Sequence, residues 1–179
     1  MSIKKIIVPV DFSKHSEYAL EAASTIAKKY GAELLVLHML ELSDSVSLTQ
    51  TGSDNVAQAV FYLKLAEKKF DAFLDKDYLE NVKVKPIVKH FKVFSEVNEV
   101  AKEHDVDLIV MGSHGTGGVK ELFVGSNTEK VVRHSDIPVL VVKHNPILMD
   151  FDNVVFACDF SEESIPAYLK ACKMFELLV

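Results

Sequence analysis

The chain contains no tryptophan and only two cysteines among 179 residues. Cys158 and Cys172 lie 14 positions apart and form no CxxC pair, which indicates free buried thiols in a reducing compartment rather than a disulfide or a zinc site. No segment approaches the ~20 uninterrupted apolar residues of a membrane span, and the start of the chain lacks a signal-peptide pattern. These absences predict a cytoplasmic, globular protein.

The sequence also has no excess of positive charge. Lysine and arginine number 20 against 26 acidic residues, which gives a net charge of −6. Because nucleic acids and anionic membranes attract basic surfaces, this balance argues against both as partners. The seven histidines show no HxxxH or HxH spacing and no attendant cysteines, so no metal site is predicted. A phosphate-bearing ligand would have to be held by local dipoles and a few cations.

Short apolar runs alternate with segments of helical periodicity. The pattern predicts strands at residues 3–10, 34–40, 82–90, 107–111 and 139–142, and helices at 13–30, 55–81, 94–104 and 126–134. Alternation of this kind implies an α/β fold, an open five-stranded parallel sheet with helices on both faces, which is Rossmann-like. Pro86 places the third strand at an edge. In such sheets the ligand lies beyond the carboxyl ends of the strands, where the winding reverses.

An internal repeat follows the last predicted strand. The segment VVFACDFSEESIPAYLKA (154–171) repeats the pattern of IIVPVDFSKHSEYALEAA (6–23) at an offset of 148 residues. The sequence therefore predicts a domain at residues 1–144, a linker at 145–151 and an incomplete second βα unit at 152–179. A lone apolar strand cannot cover both of its faces. Either the chain is a piece of a two-copy protein, or this unit packs on a neighbouring surface.

The glycine-rich segment GSHGTGGVKELFVGS (112–126) directly follows the fourth predicted strand. Glycines let a backbone approach a ligand closely, and free N–H groups at a helix N-terminus form a site for anions. Ser126 and Glu129 form an S-x-x-E pattern that predicts a capping box at the start of the next helix. The segment has no GxxxxGK[ST] and no complete GxGxxG. The alternative is a glycine-bearing surface loop that binds nothing.

Three separated motifs resemble the universal stress protein family. The spacing Gly112-x2-Gly115-x9-Gly125-Ser126 is similar to the G-x2-G-x9-G-[S/T] signature of its ATP-binding branch. The opening IIVPVDFSKHSEYAL and the closing SDIPVLVV are similar to that family's first βα unit and last strand. The resemblance covers residues 1–144 and, as a truncated second copy of a tandem-type protein, 150–179. It implies an adenine nucleotide α-hydrolase-like fold that binds ATP, with Mg or without it; ADP and AMP remain alternatives.

The resemblance also implies roles for individual residues. Asp11 would accept hydrogen bonds from adenosine and Met39 would offer main-chain contacts to adenine, while the phosphates would lie against the glycine loop. The implied binding residues are Pro9, Val10, Asp11, Met39, Gly112, Ser113, His114, Gly115, Gly125, Ser126 and Asn127. A small hydroxyl or apolar residue is usual in the family where this chain has Asn127. For His114, a solvated loop histidine without a role is the alternative.

The sequence favours nucleotide binding without fast turnover, because phosphoryl transfer needs a metal-holding carboxylate, a positioned base and nearby positive charge. Within the loop only His114, Lys120 and Glu121 could supply these groups. The alternatives are a slow ATPase or phosphotransferase and a dimeric scaffold that binds no nucleotide. We expect a homodimer formed through the edge strand 139–142, through residues 150–179, or through both.

Overall fold

The computed structural model describes residues 2–40, 53–90, 96–113, 125–146 and 153–178. Its five strands, β1 to β5, form one parallel sheet of order β3-β2-β1-β4-β5. In chain order they are Lys5–Val10, Glu33–Leu40, Lys83–His90, Leu108–Gly112 and Val139–Val142. The α/β fold and the edge position of the third strand are therefore as the sequence predicts.

Helices cover both faces of the sheet. Helices α1 (Lys14–Tyr30) and α2 (Ser53–Leu74) pack on one face, and α3 (Glu96–Glu103) and α4 (Ser126–His134) pack on the other. Side chains of the central strands alternate between the two cores, so Ile6 and Val8 lie in the first and Ile7 in the second. The buried strands read as continuous apolar runs because both of their faces are covered.

Helix α2 is shorter than its periodicity predicts. The predicted helix at residues 55–81 is divided into α2 and a short 3₁₀ helix, Asp77–Leu79. The chain leaves the helical path after Leu74, which allows the side chain of Leu79 to enter the first core. Of the predicted apolar stripe, Ala66, Phe70 and Phe73 are buried, whereas Val60 is exposed.

Strand β1 is paired less completely with β4 than with β2. Its register with β2 runs to Val10, but the register with β4 ends at Ile7. The Lys5 carbonyl oxygen accepts a hydrogen bond from Asp107 N at 3.0 Å. Since every second residue of a parallel strand directs its backbone groups toward the same neighbouring strand, alternate residues of β1, counted from Lys5, face β4. By this alternation Pro9 lies where a donor to β4 would be needed and has none. In doubly wound sheets a crevice lies outside the carboxyl ends of the two strands at which the winding reverses, and in this sheet they are β1 and β4.

The incomplete second unit is only partly formed. Its predicted helix is present as α5 (Ser164–Leu178), but residues 153–160 form no strand, because no neighbouring strand pairs with them. The turn before α5 nevertheless repeats the turn before α1. Phe12 and Phe160 both have positive φ, 62° and 59°. Ser13 N donates to Asp11 Oδ1 and Ser161 N donates to Asp159 Oδ1, each at 3.0 Å. The repeated sequence alone thus sets this turn.

Phe12 and Phe160 differ only in their surroundings. Phe12 packs against the first core, and Phe160 is 92% exposed. We expect Phe12→Ala to lower the free energy of unfolding by about 3 kcal/mol, because it removes a packed ring. Phe160→Ala is the matched control, with the same backbone strain and no packing, and should change it by less than about 0.5 kcal/mol. Urea unfolding measures both, and equal losses would contradict this account.

Candidate functional site

The turn after β1 positions Asp11 at the mouth of the crevice. The Asp11 carboxylate accepts the Ser13 N–H, and Ser13 Oγ in turn accepts the Ser16 N–H at 3.3 Å as the N-cap of α1. Asp11 is half-buried. A carboxylate oxygen has more than one lone pair, so Asp11 retains acceptor capacity for a hydroxyl or amino group. The turn therefore holds a fixed acceptor where β1 ends.

Phe12 anchors this turn in an aromatic cluster. Its ring centroid lies 4.3 Å from that of His38, 5.3 Å from that of Phe70 and 5.4 Å from that of Phe73. The ammonium of Lys69 lies 5.8 Å from the centre of the Phe12 ring. Left-handed backbone is costly for a residue with a large side chain, and these contacts offset that cost. They also place the Lys69 ammonium beside the turn that follows β1.

His38 ties the ends of β1 and β2 together. Its Nδ1 lies 2.8 Å from the carbonyl oxygen of Val10. Because a carbonyl oxygen only accepts, Nδ1 carries the proton and the Nε2 of the neutral ring is an acceptor. Burial lowers the pKa of His38, and nearby Lys69 lowers it further, whereas the bond to Val10 and the Asp11 charge oppose this shift. The ring is therefore held neutral beside Asp11.

Gly112 allows α1 to approach β4 closely. A Cβ built on Gly112 would lie 2.7 Å from the carbonyl oxygen of His15 in the first turn of α1. A side chain at that distance would force the backbones of α1 and β4 apart, so the close packing depends on the glycine. On the other face, Thr128 Oγ1 donates to the Gly112 carbonyl at 2.9 Å. The end of β4 is thus held between the first turns of two helices.

The N-terminus of α4 is fixed beside the end of β4. Gly125 N donates to the Ser113 carbonyl at 2.7 Å, and Ser113 N donates to the Val142 carbonyl at 3.0 Å. The helix begins at Ser126, as predicted, but the predicted capping box is wrong. Gly125 is the N-cap, and as a glycine it has no side chain with which to accept the first N–H groups of the helix. Glu129 instead pairs with Arg133, with 3.0 Å between Oε1 and Nε.

The glycine at the N-cap of α4 affects what the start of this helix can bind. The first N–H groups of a helix have no acceptor within the helix, and they form a positive end that suits anions. At α4 this end lies next to the carboxyl end of β4, beside the crevice. The described part of the chain thus contains a carboxylate acceptor after β1 and a helix N-terminus after β4.

The structure brings most of the predicted residues to this edge of the sheet. Pro9, Val10 and Met39 are buried near the carboxyl ends of β1 and β2, while Gly125, Ser126 and Asn127 form the start of α4. Ser113 is 1% exposed and its backbone joins β5 to α4. His114 and Gly115 lie outside the described residues.

Four further residues shape the site and were not singled out from the sequence. They are Phe12, His38, Lys69 and Thr128. The position of His38 next to Met39 and of Phe12 next to Asp11 was a usable signal. Thr128 likewise follows Asn127 directly, whereas Lys69 carries no such signal, because its role depends on a contact between elements distant in sequence.

Two negative findings concern the residues whose placement is described. None of these helices is long and apolar enough to cross a membrane. Within the same ranges no three histidine, cysteine, aspartate or glutamate side chains are grouped as ligands for a metal ion.

The sheet order and the crevice define a doubly wound α/β protein with its candidate site at the carboxyl edge. Residues 2–143 match the model of the universal stress protein family. Universal stress protein MJ0577 of Methanocaldococcus jannaschii is 31% identical to the chain over 156 residues, which cover 78% of this chain and 94% of the relative. The chain belongs to the universal stress protein family.

Solved structures agree with this assignment. The structure of MJ0577 has a TM-score of 0.68 at 30% identity and covers 79% of this chain and 96% of its own. Two universal stress proteins, one in complex with cAMP and one from Archaeoglobus fulgidus in complex with dAMP, have TM-scores of 0.51 and 0.50 at 22% and 20% identity. Each covers 79% of this chain and 98% of its own. These two show the same fold.

The lowered pKa of His38 predicts a pH dependence of stability. The unfolded chain binds this proton near the ordinary pKa of 6.5 and the folded chain only at lower pH. The contribution of His38 to the free energy of unfolding is therefore fully present above about pH 6.5, and it is lost as the pH falls toward the pKa of the folded chain. His38→Asn should reduce the acid-side loss of unfolding free energy, by less than the ~1.4 kcal/mol per pH unit of one full proton. Urea unfolding from pH 8 to pH 5 tests this, and parallel profiles would contradict it.

The close approach at Gly112 predicts a cost for any side chain there. Gly112→Ala should lower the free energy of unfolding by about 1–3 kcal/mol, because α1 must move away from β4. Gly31→Ala is the comparison, since Gly31 has a φ of 65° and open space around it. The free energy of unfolding of that variant should fall only by the cost of a left-handed backbone at alanine, about 1 kcal/mol. A Gly112→Ala protein as stable as the parent would show that the contact is not required.

Proposed function

We propose that this protein binds an adenine nucleotide, ATP in the first place, in the crevice between β1 and β4. The observation that supports this most strongly is the presence of Asp11 after β1 together with a helix N-terminus after β4 whose N-cap residue is a glycine. A carboxylate suits ribose hydroxyls or an amino group, and backbone N–H groups suit phosphate. The two ends of one nucleotide thus find complementary groups on neighbouring strands.

On the adenosine side, we assign contacts to Pro9, Val10 and Met39, with Asp11 as the polar partner. On the phosphate side, the proposed cradle consists of the start of α4 and of the glycine loop before it, namely Gly112, Ser113, His114, Gly115, Gly125, Ser126 and Asn127. Gly112 contributes by shape, since its missing side chain lets α1 and β4 converge. Mg, if bound, would be held by phosphate oxygens and water, since Mg²⁺ takes oxygen ligands.

The comparisons support an adenine ligand by analogy. Two universal stress proteins of this fold bind cAMP and dAMP, which share adenine and a sugar phosphate. The choice of ATP for this chain rests on its own glycine spacing, Gly112-x2-Gly115-x9-Gly125-Ser126. A triphosphate offers more oxygens to the loop than a monophosphate does.

The proposed role is regulatory, with nucleotide occupancy linked to dimerisation or to the choice of partner in the cytoplasm. Strand β5 lies at one edge of the described sheet, and its outer edge would accept the same strand of a second copy. The proposed nucleotide domain spans residues 1–144, with 145–151 as a linker to the repeated unit 152–179. Slow hydrolysis is the alternative, and phosphate release that disappears in Gly115→Val would indicate it.

Asp11 should be required for nucleotide binding. We expect Asp11→Ala to weaken ATP binding by about tenfold or more, because a buried polar group of the ligand loses its charged acceptor. Isothermal titration calorimetry with ATP, ADP, AMP and GTP measures the dissociation constants on protein freed of co-purified nucleotide. GTP should bind more weakly than ATP.

The repeat supplies a matched control. Asp159 accepts the same backbone hydrogen bond in the same turn as Asp11 but lies in the exposed second unit. Asp159→Ala should therefore leave the dissociation constant within about twofold of that of the parent protein. No binding by the parent, or equal losses in the two variants, would favour a scaffold that binds no nucleotide.

A further inference from the structure

One buried polar side chain of α3 has no hydrogen-bond partner. Asn98, in the first turn of this helix, is 7% exposed, and its Oδ1 accepts no hydrogen bond. Among the residues that the structure describes, Tyr78 and Glu96 also carry a buried oxygen without a partner, but both residues are partly exposed. A buried acceptor without a donor destabilises the fold, because it has lost its hydrogen bonds to water. Packing alone would therefore favour an apolar side chain at this position.

The salt bridges of α3 show in which direction Asn98 points. Asn98 and Lys102 are four residues apart and therefore lie on the same side of the helix. The Lys102 ammonium lies 2.7 Å from Oδ2 of Asp136, in the segment that joins α4 to β5. Glu103, on the other side of α3, pairs with Lys89 of the edge strand β3. Asn98 therefore faces α4.

The space between the first turns of α3 and α4 lies beside the crevice. Just after α3, the His104 carbonyl accepts a hydrogen bond from Lys5 Nζ, at the start of β1, at 2.7 Å. Helix α4 is joined to β4 by the hydrogen bond from Thr128 to Gly112. Each of these helices leads from the carboxyl end of one parallel strand to the amino end of the next, so each begins at the carboxyl edge. Asn98 thus faces the carboxyl ends of β1 and β4 from the side of α3.

The chemistry of a side-chain amide matches adenine. An asparagine pairs with adenine through two hydrogen bonds, in which Oδ1 accepts from the 6-amino group and Nδ2 donates to N7. The ionised phosphates of a nucleotide offer no donor to Oδ1. The ribose hydroxyls are donors, but their proposed acceptor is Asp11, whose turn leads into α1 on the other face of the sheet. The 6-amino group is therefore the donor that remains for Asn98.

We propose that Asn98 recognises the adenine base of the bound nucleotide, with Oδ1 accepting a hydrogen bond from the 6-amino group. This inference rests on the proposed nucleotide site and names a residue that selects the base. Met39, the proposed main-chain contact of adenine, packs in the same core as Val97 of α3. The Asn98 amide lowers the stability of the nucleotide-free protein and gains its partner when adenine binds. A base without an amino group leaves the acceptor unpaired, so the site discriminates against it.

A nucleotide that lacks only the amino group tests this contact. Purine riboside triphosphate is ATP without the 6-amino group, and the parent protein should bind it about tenfold more weakly than ATP. Asn98→Leu should weaken the binding of ATP about tenfold and should not weaken the binding of the purine analogue. Isothermal titration calorimetry measures the four dissociation constants, and their double ratio isolates the interaction between Asn98 and the amino group.

The same variant should have the opposite effect on the nucleotide-free protein. Asn98→Leu removes an unpaired buried acceptor and keeps a similar volume, so it should raise the Tm by at least about 2 °C in differential scanning calorimetry. Glu99→Leu is the matched control, because it places the same side chain at the exposed neighbouring position of α3. It should change the dissociation constants by less than about twofold and the Tm by less than about 2 °C.

The outcomes separate this inference from the proposed function. Failure of the parent protein to bind ATP would overturn both. Equal affinity of the parent for ATP and the purine analogue, or unchanged ATP binding in Asn98→Leu, would overturn the role of Asn98 and leave nucleotide binding intact. Equal weakening of both ligands in this variant would do the same. A lower Tm of Asn98→Leu would show that the fold itself uses the amide, and it would also overturn the inference.

Discussion

The carboxyl edge of the sheet depends on the contact between the first turn of α1 and the backbone of β4. The His15 carbonyl lies where a Gly112 side chain would begin, so the two elements meet with no side chain between them. This contact brings the Asp11 turn and the α4 N-terminus to neighbouring strands. Thr128 holds β4 from the opposite face. The winding reversal at β1 and β4 then places helices on opposite faces and defines the crevice outside the carboxyl ends of these two strands.

The two copies of the Asp-Phe-Ser turn separate local from tertiary effects. Both adopt the left-handed phenylalanine and the aspartate-to-backbone hydrogen bond. Only the first copy has His38, Phe70 and Phe73 around its ring. Local sequence therefore specifies the conformation of the turn. The contacts of its phenylalanine with β2 and α2 make the first copy part of the candidate site. The second copy retains the conformation of the turn, but its Phe160 is 92% exposed.

The sequence predicted the order of elements, because apolar runs and helix periodicity are local signals. The edge of the sheet that it assigns to a ligand stays a prediction. The sequence also predicted a strand that ends just before Asp11 and a helix that begins at Ser126, and the structure contains both. It did not predict the division of the helix at 55–81, because Leu79 leaves the helical path to fill a core that only the fold defines. The capping box was wrong because Gly125, not Ser126, is the N-cap of α4, and Glu129 pairs with Arg133. The aromatic cluster around Phe12 joins α2 to β1 and β2, and spacing along the chain does not show it.

Backbone amide NMR of the uniformly labelled chain during titration with Mg-ATP would test the central claim most directly, because it reports on each part of the crevice separately. The account predicts saturable shifts at Ser13 and at the α4 amides of Ser126 and Asn127. The equivalent Ser161 amide in the second unit should not move. Saturable shifts confined to other regions, with Ser13 and the start of α4 unchanged, would contradict a nucleotide site between β1 and β4.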